Sequence, residues 1–236
     1  MGITLASGLR SLFLVLCCIM TGTTIYAIYI DGLPFRKDVL LTLLTVVSLL
    51  DFNLIALQFA IWIYYKETNL ISAIVWIILI LSFGSITTTA YVFIQFLKLS
   101  PQESAQDPIY HVLLRHEHKN VLEQKRKNSS VLAARITFIV LGCSMFSIWT
   151  YTMVTGGLFF LTKEFYTPWN TDKVVDFYID LTVLLVWVVY KESTWLTACL
   201  WVILLLIFGS TCASVYIVLK LMQLTYEDPL YLVLLN

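Results

Sequence analysis

Residues 51–91 read DFNLIALQFAIWIYYKETNLISAIVWIILILSFGSITTTAY, and residues 176–216 read DFYIDLTVLLVWVVYKESTWLTACLWVILLLIFGSTCASVY. Asp-Phe, Trp, Tyr-Lys-Glu, Trp, Phe-Gly-Ser and Tyr recur in the same order at a single offset of 125 residues. Extended outward without a gap, residues 10–100 match 135–225 at 27 of 91 positions. Each copy closes on Asp-Pro-x-Tyr-x-Val-Leu-Leu, at 107–114 and 228–235. A period this regular marks one structural unit used twice. It divides the chain into a first repeat (1–99), a linker (100–133) and a second repeat (134–236).

Composition places the unit in a bilayer. Hydrophobic residues make up 59% of the chain and charged residues 13%, and the mean hydropathy is +0.85. Soluble domains carry about 25% charge. The net charge of +0 gives no reason to expect nucleic acid. The five cysteines lie inside apolar runs, so they read as small packing residues and not as a disulfide framework.

Six apolar stretches, three per copy, approach the roughly 20 residues that cross a 30 Å hydrocarbon core. They run 11–30, 43–65, 71–97, 136–155, 168–190 and 195–222. Helices are expected because lipid offers backbone groups no partner. The first stretch is not a signal peptide on this reading. Arg10, Phe13, Val15, Leu16, Cys18 and Met20 recur as Arg135, Phe138, Val140, Leu141, Cys143 and Met145. Thr167, Pro168 and Trp169 mark the start of the fifth helix as cap, first helical residue and interfacial aromatic.

Three crossings per unit would set the two copies in opposite senses across the membrane, the inverted plan used by many transporters. Ten basic residues, six of them from Arg115 to Arg135, would then face five (Arg10, Lys66, Lys163, Lys173, Lys220). That excess predicts a cytosolic linker, with both termini on the other side. The membrane itself, endomembrane or plasma membrane, is left open.

The intramembrane polar residues carry the functional signal. Asp51, Ile55, Gln58, Trp62 and Tyr65 form one helical stripe, and Asp176, Asp180, Val183, Trp187 and Tyr190 form its counterpart. Asp176 and Asp180, four apart, share a face. An aspartate at bilayer depth costs roughly 2.5–3.5 kcal/mol on insertion scales, so each must meet a partner or water. Asp51, Gln58, Asp176 and Asp180 are therefore pathway candidates, with a structural hydrogen bond between helices as the competing reading. Lys66-Glu67 and Lys191-Glu192, flanked by Trp62 and Trp187, read as gates at opposite mouths or as snorkelling ends. Gly84-Ser85-x-x-Thr88 and Gly209-Ser210-x-x-Ala213 read as close helix-packing faces.

His111, His116 and His118 lack metal-site spacing and read as solvated. The Asp-Pro tails read as capped short helices with Tyr110 and Tyr231 at the interface. No nucleophile motif, phosphate loop or nucleotide fingerprint is present, so neither an enzyme nor a cofactor is expected.

These motifs together resemble a plant family of multi-pass membrane proteins of about this length, known only as a domain of unknown function. The likeness covers both halves and is closest from Thr167 to Tyr178. It implies an all-α polytopic fold built on a duplicated three-helix unit, and no activity. Two functions follow from the residues: a small-solute or ion transporter or channel with an acidic site near the midplane, or an accessory or scaffold subunit of a larger membrane complex. The expected partners are the bilayer and either further copies of the chain or that larger complex.

Overall fold

The computed structural model describes residues 2–33, 43–114, 128–156, 167–225, 228 and 230–234, apart from the side chains at 43–45, 48, 128–130, 156 and 231. Arg36, Lys37, His116, His118, Lys163 and the basic run of the linker lie outside the described residues. The described chain is all-α: α1 (Gly2–Asp31), α2 (Leu43–Lys66), α3 (Leu70–Phe83), α4 (Ser85–Leu97), α5 (Pro101–Gln106), α6 (Pro108–Leu113), α7 (Asn128–Gly156), α8 (Pro168–Lys191) and α9 (Trp195–Met222), with a closing 3-10 turn at Leu230–Leu234. By length and composition, three helices among the described residues are apolar enough to cross a membrane: α1, Val131–Thr155 of α7, and α9.

The third of these folds back on itself. The Tyr216 ring lies 4.9 Å from that of Trp201, and Lys220 Nζ is 2.8 Å from Glu192. Along a straight helix Trp201 and Tyr216 would stand about 22 Å apart, and Lys220 about 37 Å from the helix start that Glu192 precedes. The bend is Gly209, at φ 50° and ψ −127°. α3 and α4 make the same hairpin about Gly84, at φ 57° and ψ −134°. The Tyr91 ring meets Trp76 at 5.0 Å, and the Thr87 hydroxyl reaches back to Leu79 O at 3.1 Å. The stretches 71–97 and 195–222, expected as single helices, are therefore helical hairpins. Their Gly-Ser pairs form the tips and not a helix-packing face, because this backbone conformation is open only to glycine.

The hairpins also decide how the copies are set. Lys66, ending α2, donates to His111 O at 3.0 Å and to Leu114 O. Tyr190, near the end of α8, donates to Asp107 at 2.6 Å. Those acceptors flank α6, a helix about 9 Å long, so α2 and α8 finish at one end of the bundle. An antiparallel pair of 24-residue helices would separate their ends by about 36 Å. Gly2 abuts Ala105, which puts the start of α1 at that same tail end. Trp169 donates to Gly32 O at 3.1 Å, joining the close of α1 to the opening of α8 at the opposite end. Arg135 donates to Leu221 O and Leu224 O, so α7 also starts at the tail end. The expected inverted arrangement is thus corrected: the long helices of the two copies run parallel. The hairpins enter from the tail end, and the N-terminus, the closing turn and both ends of the linker lie there too.

The linker is shorter than 100–133. Ser100 and Glu103 form a capping box on α5, Asp107 Oδ1 caps α6 at Tyr110 N, and Ile109, Val112 and Leu113 are buried. Thr167 caps α8 as expected, its hydroxyl oxygen accepting from Asn170 N at 3.4 Å. Trp169 is buried against the close of α1. All five cysteines are free, but only Cys212 is buried.

The Trp…Tyr-Lys-Glu motif now has a structural reading. Trp62 Nε1 donates to Leu113 O and Trp187 Nε1 to Leu234 O, both at 3.2 Å. Lys66 and Lys191 donate to carbonyls near the ends of the same tails, Leu114 O and Val233 O, a favourable place for a cation. Glu67 and Glu192 accept from the hairpin tyrosines Tyr91 and Tyr216 at 2.8 and 2.9 Å. These residues pin tails and hairpins at one end; they are not gates at two mouths. Trp187→Phe removes one neutral hydrogen bond, about 1 kcal/mol, and Lys191→Met removes a charged one, about 1.5–3 kcal/mol. Hydrogen exchange across 230–234 should accelerate roughly fivefold in the first variant and ten- to a hundredfold in the second, with α1 unchanged.

Candidate functional site

Each hairpin tip opens a helix whose first N–H groups have no intrahelical partner. A carboxylate from the other half fills that role. Asp176 on α8 accepts from Ser85 N at 2.8 Å. Asp51 on α2 accepts from Ser210 N at 3.3 Å and from the Ser210 hydroxyl. Negative charge at a helix N-terminus is stabilised by the helix dipole, so the pair first proposed as pathway residues latches the two halves together.

The tips are not equivalent beyond this. The Ser210 hydroxyl is used on Asp51, whereas the Ser85 hydroxyl oxygen is buried without a partner among the described residues. One turn along α8 from Asp176, Asp180 is fully buried, and neither of its carboxyl oxygens has a hydrogen-bond partner there. Thr88 lies beside it. At the offset of 125 residues, Asp180 and Thr88 correspond to Ile55 and Ala213. The surplus of buried oxygen therefore belongs to the first tip alone.

Asp172 extends the row. It is 2% exposed and accepts from the Thr24 hydroxyl at 2.9 Å. With a rise of about 6 Å between members, Asp172, Asp176 and Asp180 form a ladder that climbs α8 from the end opposite the tails to mid-bundle. The sequence reading missed Asp172 because it lies only four residues after the start of its helix, close to the expected membrane surface, where a carboxylate is ordinary. Its spacing of four from Asp176 was the available signal.

Above the ladder is a cavity of about 330 Å³ between the halves. Val183, Leu184 and Trp187 line it from α8, and Gln58, Phe59 and Trp62 from α2. Residues of α6 and the closing turn rim it, so it lies toward the tail end. None of the aspartates lines it. Among the described residues, no group of three or more His, Cys, Asp or Glu is placed to hold a metal ion.

The family described as a protein of unknown function, DUF1475, matches residues 9–236. The chain belongs to that family. No curated protein and no solved structure matches it. For this DUF1475 chain, the expected candidates therefore separate into groups. Asp51 and Asp176 hold the hairpin tips, Asp180 lies below the cavity without a hydrogen-bond partner among the described residues, and Gln58, Trp62 and Trp187 line the cavity. Lys66, Glu67, Lys191 and Glu192 brace the tail end. His111, expected to be solvated, is half-buried with its ring 3.9 Å from Glu103.

Proposed function

We propose that the chain is an integral membrane protein that moves a small solute in exchange for, or together with, protons. The carboxylate ladder of α8 would carry the proton and the cavity above it would hold the solute. The observation that carries this reading is Asp180: fully buried, with neither oxygen hydrogen-bonded among the described residues, at the head of the ladder and one turn below the cavity wall at Val183 and Leu184. Intramembrane chains of acidic groups serve as proton relays in pumps and transporters. A hydroxyl stands beside each rung: Thr24 at Asp172, Ser85 at Asp176 and Thr88 at Asp180.

In this reading α1, α2, α7 and α8 each cross the bilayer. α2 and α8, at about 36 Å, are long enough for a 30 Å core. The hairpins, with arms of about 20 Å, enter halfway from the tail end. The proposal is thus four crossings and two re-entrant hairpins in parallel repeats, in place of six crossings in inverted ones. Eleven of the fifteen lysines and arginines then fall at the tail end, which puts that end, the linker and both termini in the cytosol.

The test is the proton leak that the ladder should support without solute, measured in liposomes under a potassium diffusion potential with an entrapped pH dye. Asp180→Asn should reduce flux to the level of empty liposomes. Its thermal midpoint should stay within a few degrees of the parent, since the amide matches the carboxyl in shape and keeps an acceptor oxygen. Full flux in that variant sinks the relay. A stoichiometric larger partner recovered from native membranes would instead favour an accessory subunit.

A further inference from the structure

The cavity has matched walls. Phe13 faces the lining with Phe138, and Trp62 with Trp187, each pair separated by 125 residues. The match fails at Gln58, whose counterpart is Val183. Gln58 is 7% exposed, and its Nε2 donates to Ser214 Oγ at 3.1 Å. Its Oε1 has no partner among the described residues. A buried amide oxygen is costly unless bonded, and one half of the molecule manages with valine at the same place. The surrounding wall is aliphatic and aromatic, a setting in which a water, needing two to four polar partners, is poorly held.

We infer that the cavity binds a small, largely apolar molecule carrying one hydroxyl, which donates to Gln58 Oε1 once the amide turns toward the cavity. Ligand pockets combine an apolar lining with a few placed polar groups and begin at about 300 Å³, so the occupant is small. The inference deepens the proposed function by naming its substrate class, and it is read by binding, without transport.

The probe is an ω-bromoundecanol, with its methyl ether as the match that lacks the donor. Bromine quenches Trp62 and Trp187 on contact. In purified protein the alcohol should quench saturably and bind about tenfold more tightly than the ether, as befits one buried hydrogen bond. Gln58→Leu should make the two equal. Equal affinities in the parent protein, or quenching that only rises linearly, would overturn the assignment. If Gln58→Leu does not fold, the alcohol-to-ether ratio of the parent protein decides alone. Asp180→Asn should bind the alcohol normally. In the parent protein, by contrast, intact binding without proton flux would end the transport reading and leave this one standing.

Discussion

Gly84→Ala should destabilise the folded state by about 2–6 kcal/mol. At φ 57° and ψ −134° an alanine backbone is strained by about 1–3 kcal/mol. Its methyl group would lie 2.6 and 2.7 Å from the two oxygens of Asp176 and 2.9 Å from the Phe52 ring. Overpacking of that order adds about 1–3 kcal/mol, against a typical total stability of about 5–15 kcal/mol. The carboxylate has no easy retreat, because withdrawing it breaks the bond to Ser85 N. The readout is the monodisperse fraction on size-exclusion chromatography and the thermal midpoint in detergent. Gly22→Ala, in α1 with nothing within 4 Å of the added carbon, should leave both unchanged. A normal midpoint for Gly84→Ala would mean that the hairpin tip is not built as described. The double variant Gly84→Ala, Asp176→Ala should be less damaged than the two separate losses combined, because both act on one contact.

Replacing Asp176 separates latch from charge. Asp176→Ala leaves the buried Ser85 N–H without an acceptor, a loss of about 1–3 kcal/mol, and opens a cavity beneath the tip. Asp176→Asn keeps an acceptor oxygen and removes only the charge. The alanine variant should therefore lose most of its folded yield at 37 °C, while the asparagine variant purifies normally. If both behaved like the parent, the carboxylate would not be holding the tip. Asp51→Ala should cost at least as much, since Asp51 also accepts from the Ser210 hydroxyl.

Much of this architecture was legible in the chain. The 125-residue offset, the Thr167-Pro168 cap and the stripes that bring Gln58 and Trp62 opposite Val183 and Trp187 follow from spacing and local chemistry. The sense of the repeat did not, and the reason is one backbone angle. Hydropathy counts the 27 residues of 71–97 as one crossing, because an apolar hairpin and an apolar rod have the same composition. Reading two hairpins as two rods changes an even number of passes per unit into an odd one, which inverts the copy. Gly-Ser followed by Thr or Ala three residues on is equally the sign of close helix packing, and nothing local tells ψ −134° from a helical value. The roles of Asp51 and Asp176 were hidden for another reason: their partners are 159 and 91 residues away.

That separation has a consequence during synthesis. Ser85 emerges 91 residues before the carboxylate that caps it, so at about 5–20 residues per second the first hairpin waits roughly 5–20 seconds with its tip unlatched. The second hairpin meets the reverse case, since Asp51 is already made when Ser210 arrives. The first half is thus born as an unfinished client that must be sheltered until α8 is made, while the second half closes as it is made. Slowing translation between residues 114 and 176 should expose the first half to quality-control proteases, and slowing it after 210 should not.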